Sequence, residues 1–417
     1  MTGYGGLAQF GGFVQDLGVP KALHELFFRL KSGAMVIYPM EAQIELLIDA
    51  AAAGEQRVFG IEALSADPIF SHMAGGIVPS IDTIYRDLRR FDDQAICDLE
   101  ALMAKNGLAA VRAKRRPLLH LDVDTTVEPV FGDHDGALAG YNPRYHGRPS
   151  YHPILARCSE TDTVVGAKLR PGNTSFGDDD APTVGAFIDR VREAAGKSTL
   201  IRVRIDSAGD CTKMMRTIDG KGAHFLIKGK TTADLCTAIY RVPSGCWRTV
   251  DVDADGKPTR QVAEVNFARD EWKKQGLTVR VIAVRSKERD TGKQLYLWNE
   301  SEWTAQAFLT NDLDDDADEL AREYDGRAGI EPLIAELKGA FGIGKVPSAD
   351  FDANHAALLI KLLSHNLLRR WVIDCAPALA AWRAAWIRRA LIVVPGRLGR
   401  HGRSFRLRLA PRPHLIN

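Results

Sequence analysis

The chain has 417 residues, 45% of them hydrophobic and 26% charged, which is enough for two or three domains with a sizeable core and excludes a disordered or disulfide-scaffolded module. The net charge of +2 hides an asymmetry: from Lys361 onward there are twelve Lys or Arg against one acid, Asp374, leaving the first 360 residues net acidic by about nine. Six cysteines without a Cys-x-x-Cys pair, a start without a leader pattern and no run of about 18 apolar residues argue against structural zinc, secretion and a membrane span, and predict a cytoplasmic protein.

In chain order, residues 1 to about 35 are Gly-rich and then amphipathic. MEAQIELLIDAAAAG predicts a helix with Ile44, Leu47 and Ile48 on one face, stopping at Gly54. VPSIDTIYRDLRRF predicts a second helix capped by Ser80, with Ile81, Ile84 and Leu88 inward and Arg86, Arg89 and Arg90 outward. The pair reads as a helix-turn-helix or as a plain helical domain with a solvated face. Beyond the basic linker AKRRP the pattern turns to strands. PLLHLDVDTT is the first, and SYHPILARCSETDTVVGAKLR predicts a hairpin turning near Glu160 to Asp162. A helix follows, with Pro182 in its first turn, Val184, Phe187, Ile188 and Val191 inward and Gly196 as its stop. TLIRVRIDSAGD is a strand ending at Asp206, and HFLIKGK is another. Residues 230–310 hold short strand-like runs, CWRTVDVD, TRQVAEVNF, LTVRVIAVR and QLYLWNESEW, which read as a β-rich insertion. NDLDDDADELAREYDGRAGIEPLIAELKGAFG, 311–342, returns the chain to helix. The expected organisation is an N-terminal helical domain (1–112), an α/β core in two parts (113–229 and 311–370) around the insertion (230–310), and a basic C-terminal segment (371–417). The fold class is α/β, a mixed sheet flanked by helices.

Two carboxylates interrupt the apolar strand Leu118 to Val123. Asp122 and Asp124 share one face of it, because strand side chains alternate with period two. Burying an unpaired carboxylate costs several kcal/mol, so a cation is expected there, and a metal ion is the reading adopted for both. Further along, Tyr324, Arg327, Glu331 and Lys338 are spaced by 3, 4 and 7. At about 100° per residue they fall within roughly 60° of one another on a helix. Pro332 sits poorly in a helix interior, so the helix is expected to begin near Glu331.

The spacing Tyr-x2-Arg-x3-Glu-x6-Lys resembles the signature of a branch of bacterial insertion-sequence transposases, in the DDE superfamily with an RNase H-like core. LDVDTTVEPVFGDHDGALAGYNPRYHGRPSYHPILA resembles the first catalytic block of that family. VRIDSAGD resembles the second, with a departure: Ala208 precedes Gly209 and no aromatic follows. PSIDTIYRDLRRF and RRALIVVPGRLGRHGRSFRLRL resemble its two ends, so the likeness spans nearly the whole chain; it implies that residues 1–112 are a DNA-binding and dimerisation domain and that 113–229 and 311–370 are the catalytic core. The resemblance implies a catalytic, metal-binding triad of Asp124, Asp206 and Glu331. It chooses Asp124 over Asp122 because the family's Asp stands directly before Thr or Ser; periodicity leaves the two open. It implies two Mg²⁺, with Mn²⁺ able to substitute, activating water and stabilising the leaving oxygen of an in-line phosphoryl transfer. Arg327 and Lys338 would meet DNA phosphates, Tyr324 would donate a hydrogen bond to one, and Arg148 is a further phosphate contact. The implied partners are double-stranded DNA, as terminal inverted repeats and target, and a second copy in the DNA complex; the implied location is the nucleoid. The basic tail fits an anionic polymer, with a solubilising tail as the plain alternative.

Two rival readings make different demands. Asp-x-Asp-x-Thr at 122 to 126 also resembles the first motif of haloacid-dehalogenase-type phosphatases, whose nucleophile would be Asp122. An inactive DNA-binding relative would need none of the acids. DLDDDADE, 312 to 319, lacks the Gly and final Glu of a calcium loop and reads as a solvated helix start. Trp247, Trp298 and Trp303 are each a packing residue or a platform for a flipped base. His146 and His152, flanking GRP, are candidate DNA contacts.

Overall fold

The computed structural model describes residues 1–109, 111, 116–142, 144–287, 303–402 and 404–411. Its first 107 residues are helical. Met40–Ala53 stops at Gly54, whose φ of 104° lies where glycine alone escapes a Cβ penalty. Ile81–Leu88 is capped by Ser80, whose Oγ accepts the Thr83 N–H at 3.3 Å, with Ile84 and Leu88 buried. These helices and Asp93–Gly107 pack on Phe351–Cys375, a 25-residue helix buried on most sides. Such a helix is apolar nearly all round and has no single stripe for periodicity to find. Its polar interior residues are spent on the sheet edge. Asn366 Oδ1 accepts the Val164 N–H at 3.0 Å and Nδ2 donates to the Val164 carbonyl at 2.7 Å. A strand edge that would otherwise be open is thereby satisfied.

In chain order the strands are β1 (Leu118–Thr125), β2 (Glu128–Pro129), β3 (Leu138–Ala139), β4 (Pro149–Tyr151), β5 (Ile154–Cys158), β6 (Thr163–Lys168), β7 (Leu200–Ile205), β8 (His224–Lys228), β9 (Arg248–Val252), β10 (Pro258–Glu264), β11 (Arg280–Lys287), β12 (Trp303–Thr310), β13 (Gly396–His401) and β14 (Ser404–Leu409). Nine form one mixed sheet in the order β6-β5-β1-β7-β8-β12-β11-β10-β9. β1, β7 and β8 run parallel, and the β5–β6 hairpin lies antiparallel on one side, as an RNase H-like mixed sheet requires. The helix Ala181–Ala195 buries Val184, Phe187, Ile188 and Val191 and ends at Gly196, as its pattern predicts. With Leu119, Leu121 and Val123 it builds the core under one face of the sheet.

Region 230–310 is rich in strands but not made of them alone. It also carries the helices Ala233–Tyr240 and Asp270–Lys274, and its strands extend the core sheet, because β12 pairs with β8 at Phe308 to Thr310. β12 has no counterpart in the sequence reading, and most of QLYLWNESEW lies outside the described residues. β2, β4 and β3 form a small separate sheet beyond the end of β1, also unforeseen. After Asp325 a 3-10 turn, Gly326–Gly329, leads into the helix Ile330–Glu336, which places Pro332 in a first turn where its missing N–H costs nothing.

Candidate active site

Asp122 and Asp124 point from β1 to the face opposite the apolar core. The register puts Arg157 of β5 and Arg204 of β7 directly beside Asp122. Its Oδ1 accepts Arg204 Nε at 2.6 Å and its Oδ2 accepts an Arg157 amino group at 2.9 Å, and the carboxylate is fully buried. The expected cation is therefore two guanidiniums and not a metal ion. Asp122 is also unavailable as a phosphatase nucleophile, so the structure contradicts that rival. The pairing spreads sideways. Arg202 pairs with Asp312, Asp315 and Glu323; His120 bridges Glu160 at 2.7 Å and Glu323 at 3.0 Å. Arg204 also donates to the Glu323 carbonyl. This buried ionic layer fixes the end of the helix Ala317–Asp325, and with it the start of the Tyr324 to Lys338 segment. Asp312, the first acid of DLDDDADE, belongs to this layer rather than to a calcium loop: its Oδ1 accepts the N–H groups of Asp314 and Asp315, each at 2.9 Å.

Two residues along β1 the environment changes. Val123 pairs with Ile205 of parallel β7, so the next residues, Asp124 and Asp206, stand side by side at neighbouring strand ends, where strands lie about 4.8 Å apart. Asp206 Oδ1 accepts the Ala208 N–H at 2.9 Å, which turns the chain away there. Asp124 Oδ1 accepts the Thr125 N–H at 2.8 Å, and Oδ2 faces Arg327 at 2.9 Å. Arg327 also reaches Glu331, at 3.3 Å. Burial pushes the Asp124 carboxyl up to about 6; Arg327 and the Thr125 N–H pull it down, while Asp206 and Glu331 add to the rise. Asp124 and Glu331 share the Arg327 guanidinium, and Asp206 stands beside Asp124.

Hard carboxylate oxygens with unmatched negative charge are what a divalent cation of the Mg²⁺ type selects. Among the described residues no three such side chains are already gathered closely enough to hold an ion. The obstacle is Arg327, which lies between Asp124 and Glu331. The Glu331 side chain is 65% exposed. The donor set therefore fits a divalent ion.

The other expected contacts fall in varied places. Arg327 is buried, with its charge directed at the acids and not outward. Tyr324 stacks on Phe308 at 4.3 Å with its hydroxyl 3.4 Å from the Ile205 carbonyl oxygen, and burial pushes its phenol up to about 12. Lys338 donates to the Val127 carbonyl at 2.8 Å and lies 3.4 Å from Glu128, yet borders the open cleft. Arg148 lies over the rings of Phe131 and Tyr145 at 4.2 and 5.3 Å. His146 is exposed; His152 is buried against the same cleft. Arg285 lies over the rings of Trp247, which is buried, and Trp303, at 4.2 and 4.9 Å; Trp298 is outside the described residues. The cleft itself, ≈ 840 Å³, runs from Asp124 and Asp206 past Thr126, Glu128, Lys338 and Lys345 to Phe131, Tyr141 and Asn142. Glu128 and Asn142 were not singled out from sequence, and nothing in a single sequence marks them.

No curated protein matches the chain. Solved structures similar to it include the piggyBac transposase synaptic complex with hairpin DNA, at 12% identity and TM-score 0.45 over 89% of this chain and 78% of that one. Another is the Mos1 transposase paired-end complex with left transposon end, at 8% identity and TM-score 0.19 over 47% and 60%. A family model described as transposase DDE domain group 1 matches residues 1–413, and the chain belongs to that family: it is a DDE transposase, an enzyme that cleaves and transfers DNA strands.

Proposed function

We propose that this transposase acts on the ends of a bacterial insertion sequence, with Asp124, Asp206 and Glu331 as its catalytic carboxylates. The observation that carries the reading is the meeting of strand ends. Asp124 and Asp206 stand side by side through the β1–β7 register, and Glu331 reaches the same place through a shared Arg327. Two Mg²⁺, or Mn²⁺ in their place, would be held by these acids and would supply an activated water and a stabilised leaving oxygen. The chain's own residues do the rest. Arg327 and Lys338 offer positive charge beside the acids, and Tyr324 packs the segment that carries them against β7 and β12. The resulting 3′-hydroxyl would attack target DNA.

Double-stranded DNA is held by charge from more than one side. In the β13–β14 hairpin Arg397 stands directly opposite Arg408, with Arg406 on the same strand; all are exposed, and among the described residues none has an ion pair. Like charges directly opposite on a sheet repel, so this hairpin favours a polyanion across it. Residues 1–112 would help hold the terminal repeats, and a second copy would bind the other end. Such a protein would reside on the nucleoid.

The test is cleavage of a labelled duplex bearing the element's end, with Mg²⁺, by the wild type and by Asp124→Ala, Asp206→Ala and Glu331→Ala. Loss of cleavage with retained DNA binding is the expected result in all three. Full activity in Glu331→Ala would refute the triad.

A further inference from the structure

The β-rich region reaches the strand end at Asp206 through one ion pair that neither the sheet nor the phosphoryl-transfer chemistry accounts for. Asp206 opens a 3-10 turn, Ser207–Gly209, that closes on Asp210. The turn is a single hydrogen-bonded unit. Asp206 Oδ1 accepts the Ala208 N–H at 2.9 Å, the Asp206 carbonyl accepts the Gly209 N–H at 3.1 Å, and the Ser207 carbonyl accepts the Asp210 N–H at 3.2 Å. It is also packed closely on its own strand: a Cβ at Gly209 would come within 2.6 Å of the Ile205 side chain. A turn this short and this close has little slack, so a shift at Asp210 is passed to Asp206.

Asp210 is held from two other parts of the chain. Its side chain is wholly buried, where an unpaired carboxylate would be costly. Arg269 answers with a fork: one amino group lies 2.5 Å from Oδ1 and the other 2.8 Å from Oδ2. Two parallel bonds of this kind fix direction as well as distance, which a lysine ammonium does not. The Lys230 N–H donates to Oδ2 at 2.7 Å, and the Lys230 ammonium donates to the Asp210 carbonyl at 3.1 Å. Arg269 is itself fixed. It stands just before the helix Asp270–Lys274, between β10 and β11, with its guanidinium 4.8 Å from the ring centre of Trp272. Trp272 is buried and meets Phe267 edge-on at 5.9 Å. The β-rich region thus places a guanidinium on the turn that carries the second acid.

Asp206 and Ala208 line the cleft, and the pair acts on them through the backbone between. We propose that Asp210 and Arg269 are a positioning pair that sets the place of the Asp206 carboxylate, so that the β-rich region supports the site through one guanidinium. The inference rests on the reading of Asp206 as a catalytic, ion-holding carboxylate. A pair that served stability alone would make a different demand: less folded protein, and no change in the protein that folds.

The test compares the wild type with Arg269→Lys, Asp210→Asn, the double variant and Asp206→Ala, each as the full chain. Arg269→Lys keeps the charge and loses the fork, on a side chain that is 24% exposed and so able to find water. Mg²⁺ binding to the DNA-free protein is read by calorimetry, and cleavage of a labelled end duplex is read in a single turnover. Partners that orient a metal ligand are worth about 10–100-fold in metal affinity or activity, so Arg269→Lys should weaken Mg²⁺ binding by about tenfold and slow cleavage by about tenfold or more. Its affinity for the duplex without divalent ions should stay within about twofold of the wild type. Asp210→Asn should behave alike, and the double variant should be no worse than either single one, because residues that act as a unit are lost once. With Mg²⁺ binding weakened and cleavage lost in Asp206→Ala, three results would each overturn the positioning pair alone: an unchanged Mg²⁺ Kd in Arg269→Lys and Asp210→Asn, a loss of cleavage that only matches the loss of folded protein, or losses that add in the double variant. Mg²⁺ binding and cleavage at wild-type levels in Asp206→Ala would overturn the assignment of Asp206, and the pair with it.

Discussion

Asp122 and Asp124 lie two residues apart on one strand, on one face, and the protein treats their charges in opposite ways. At 122 both flanking strands place an arginine in register, and each carboxylate oxygen has its own guanidinium. At 124 the flanking positions are Leu155 and the strand end at Asp206, so the neighbour is apolar on one side and another acid on the other. Residue type and face are the same; the ratio of cations to acids is not. Where it is satisfied the acid is part of the scaffold, and where it falls short the acid retains affinity for a cation from solution. The ionic layer at 122 also anchors Glu323 and so aims the segment that delivers Arg327 and Glu331. The paired half of the face positions the half that carries the proposed catalytic carboxylates.

The sharpest way to break this comparison is to exchange the fates by mutation. Asp124→Ala should abolish cleavage. Metal-assisted charge stabilisation is worth several kcal/mol, which is about three orders of magnitude in rate. The same change should leave thermal stability level or slightly raised, since it relieves repulsion with Asp206 and Glu331. Asp122→Ala should do the reverse at its root: it leaves the buried Arg204 without its carboxylate and Arg157 with Asp162 alone, which costs about 3–5 kcal/mol of stability, read as a fall in the urea midpoint. Loss of cleavage in that variant should follow unfolding and recover under stabilising conditions, which Asp124→Ala should not. A stable, inactive Asp122→Ala would show that the two acids act together and end the distinction.

Sequence alone carried the local turns and ends further than it carried the scaffold. Asp206 closes a strand, Pro332 marks a helix start, and Gly196 stops a helix, because each is a local rule read within a few residues. The partners of Asp122 are 35 and 82 residues away, and no spacing rule links them until the register of β5-β1-β7 is known. The Phe351–Cys375 helix escaped because its surroundings bury it on most sides and erase its period. β12 escaped because WTAQAFLT alternates poorly. Asn142 and His152 are ordinary residues in a loop and at a strand end until folding turns their unpaired atoms into one cleft.

His355 extends the comparison to a titratable group buried with no counter-charge in contact. It sits on the Phe351–Cys375 helix, its Nε2 accepts the Leu169 N–H at 3.3 Å, and burial pushes the imidazole down to about 4. The unfolded chain holds this proton more tightly than the folded one. Stability is therefore intact above the unfolded value of about 6.5 and is lost as pH falls towards 4. The loss should reach about 3 kcal/mol, from about 1.4 kcal/mol per pKa unit. It should appear as a midpoint in urea that declines from pH 6.5 to 4 and a flatter profile in His355→Gln, whose amide oxygen can still accept from Leu169. An unchanged profile in that variant would assign the acid sensitivity elsewhere.

The smallest effect concerns Arg327, the cation that Asp124 and Glu331 share. If its ion pairs to Asp124 and Glu331 stand in for missing charge, then Arg327 competes with a divalent ion for the same oxygens. Removing it should strengthen Mg²⁺ binding to the DNA-free protein even though it removes a positive charge from a DNA-binding cleft. Two unit charges about 4 Å apart interact by about 4 kcal/mol at an effective dielectric of 20, and most of that is offset when the freed acids repel one another. A net gain of about 1.4 kcal/mol, or tenfold in Kd, is expected for Arg327→Gln by calorimetry. Asp122→Asn, which alters the neighbouring acid but not this competition, should leave Mg²⁺ affinity within about twofold wherever the protein is folded. Weaker binding in Arg327→Gln would mean that the guanidinium holds the acids in place for the ion, and the cation shortage at 124 would then be part of the scaffold after all.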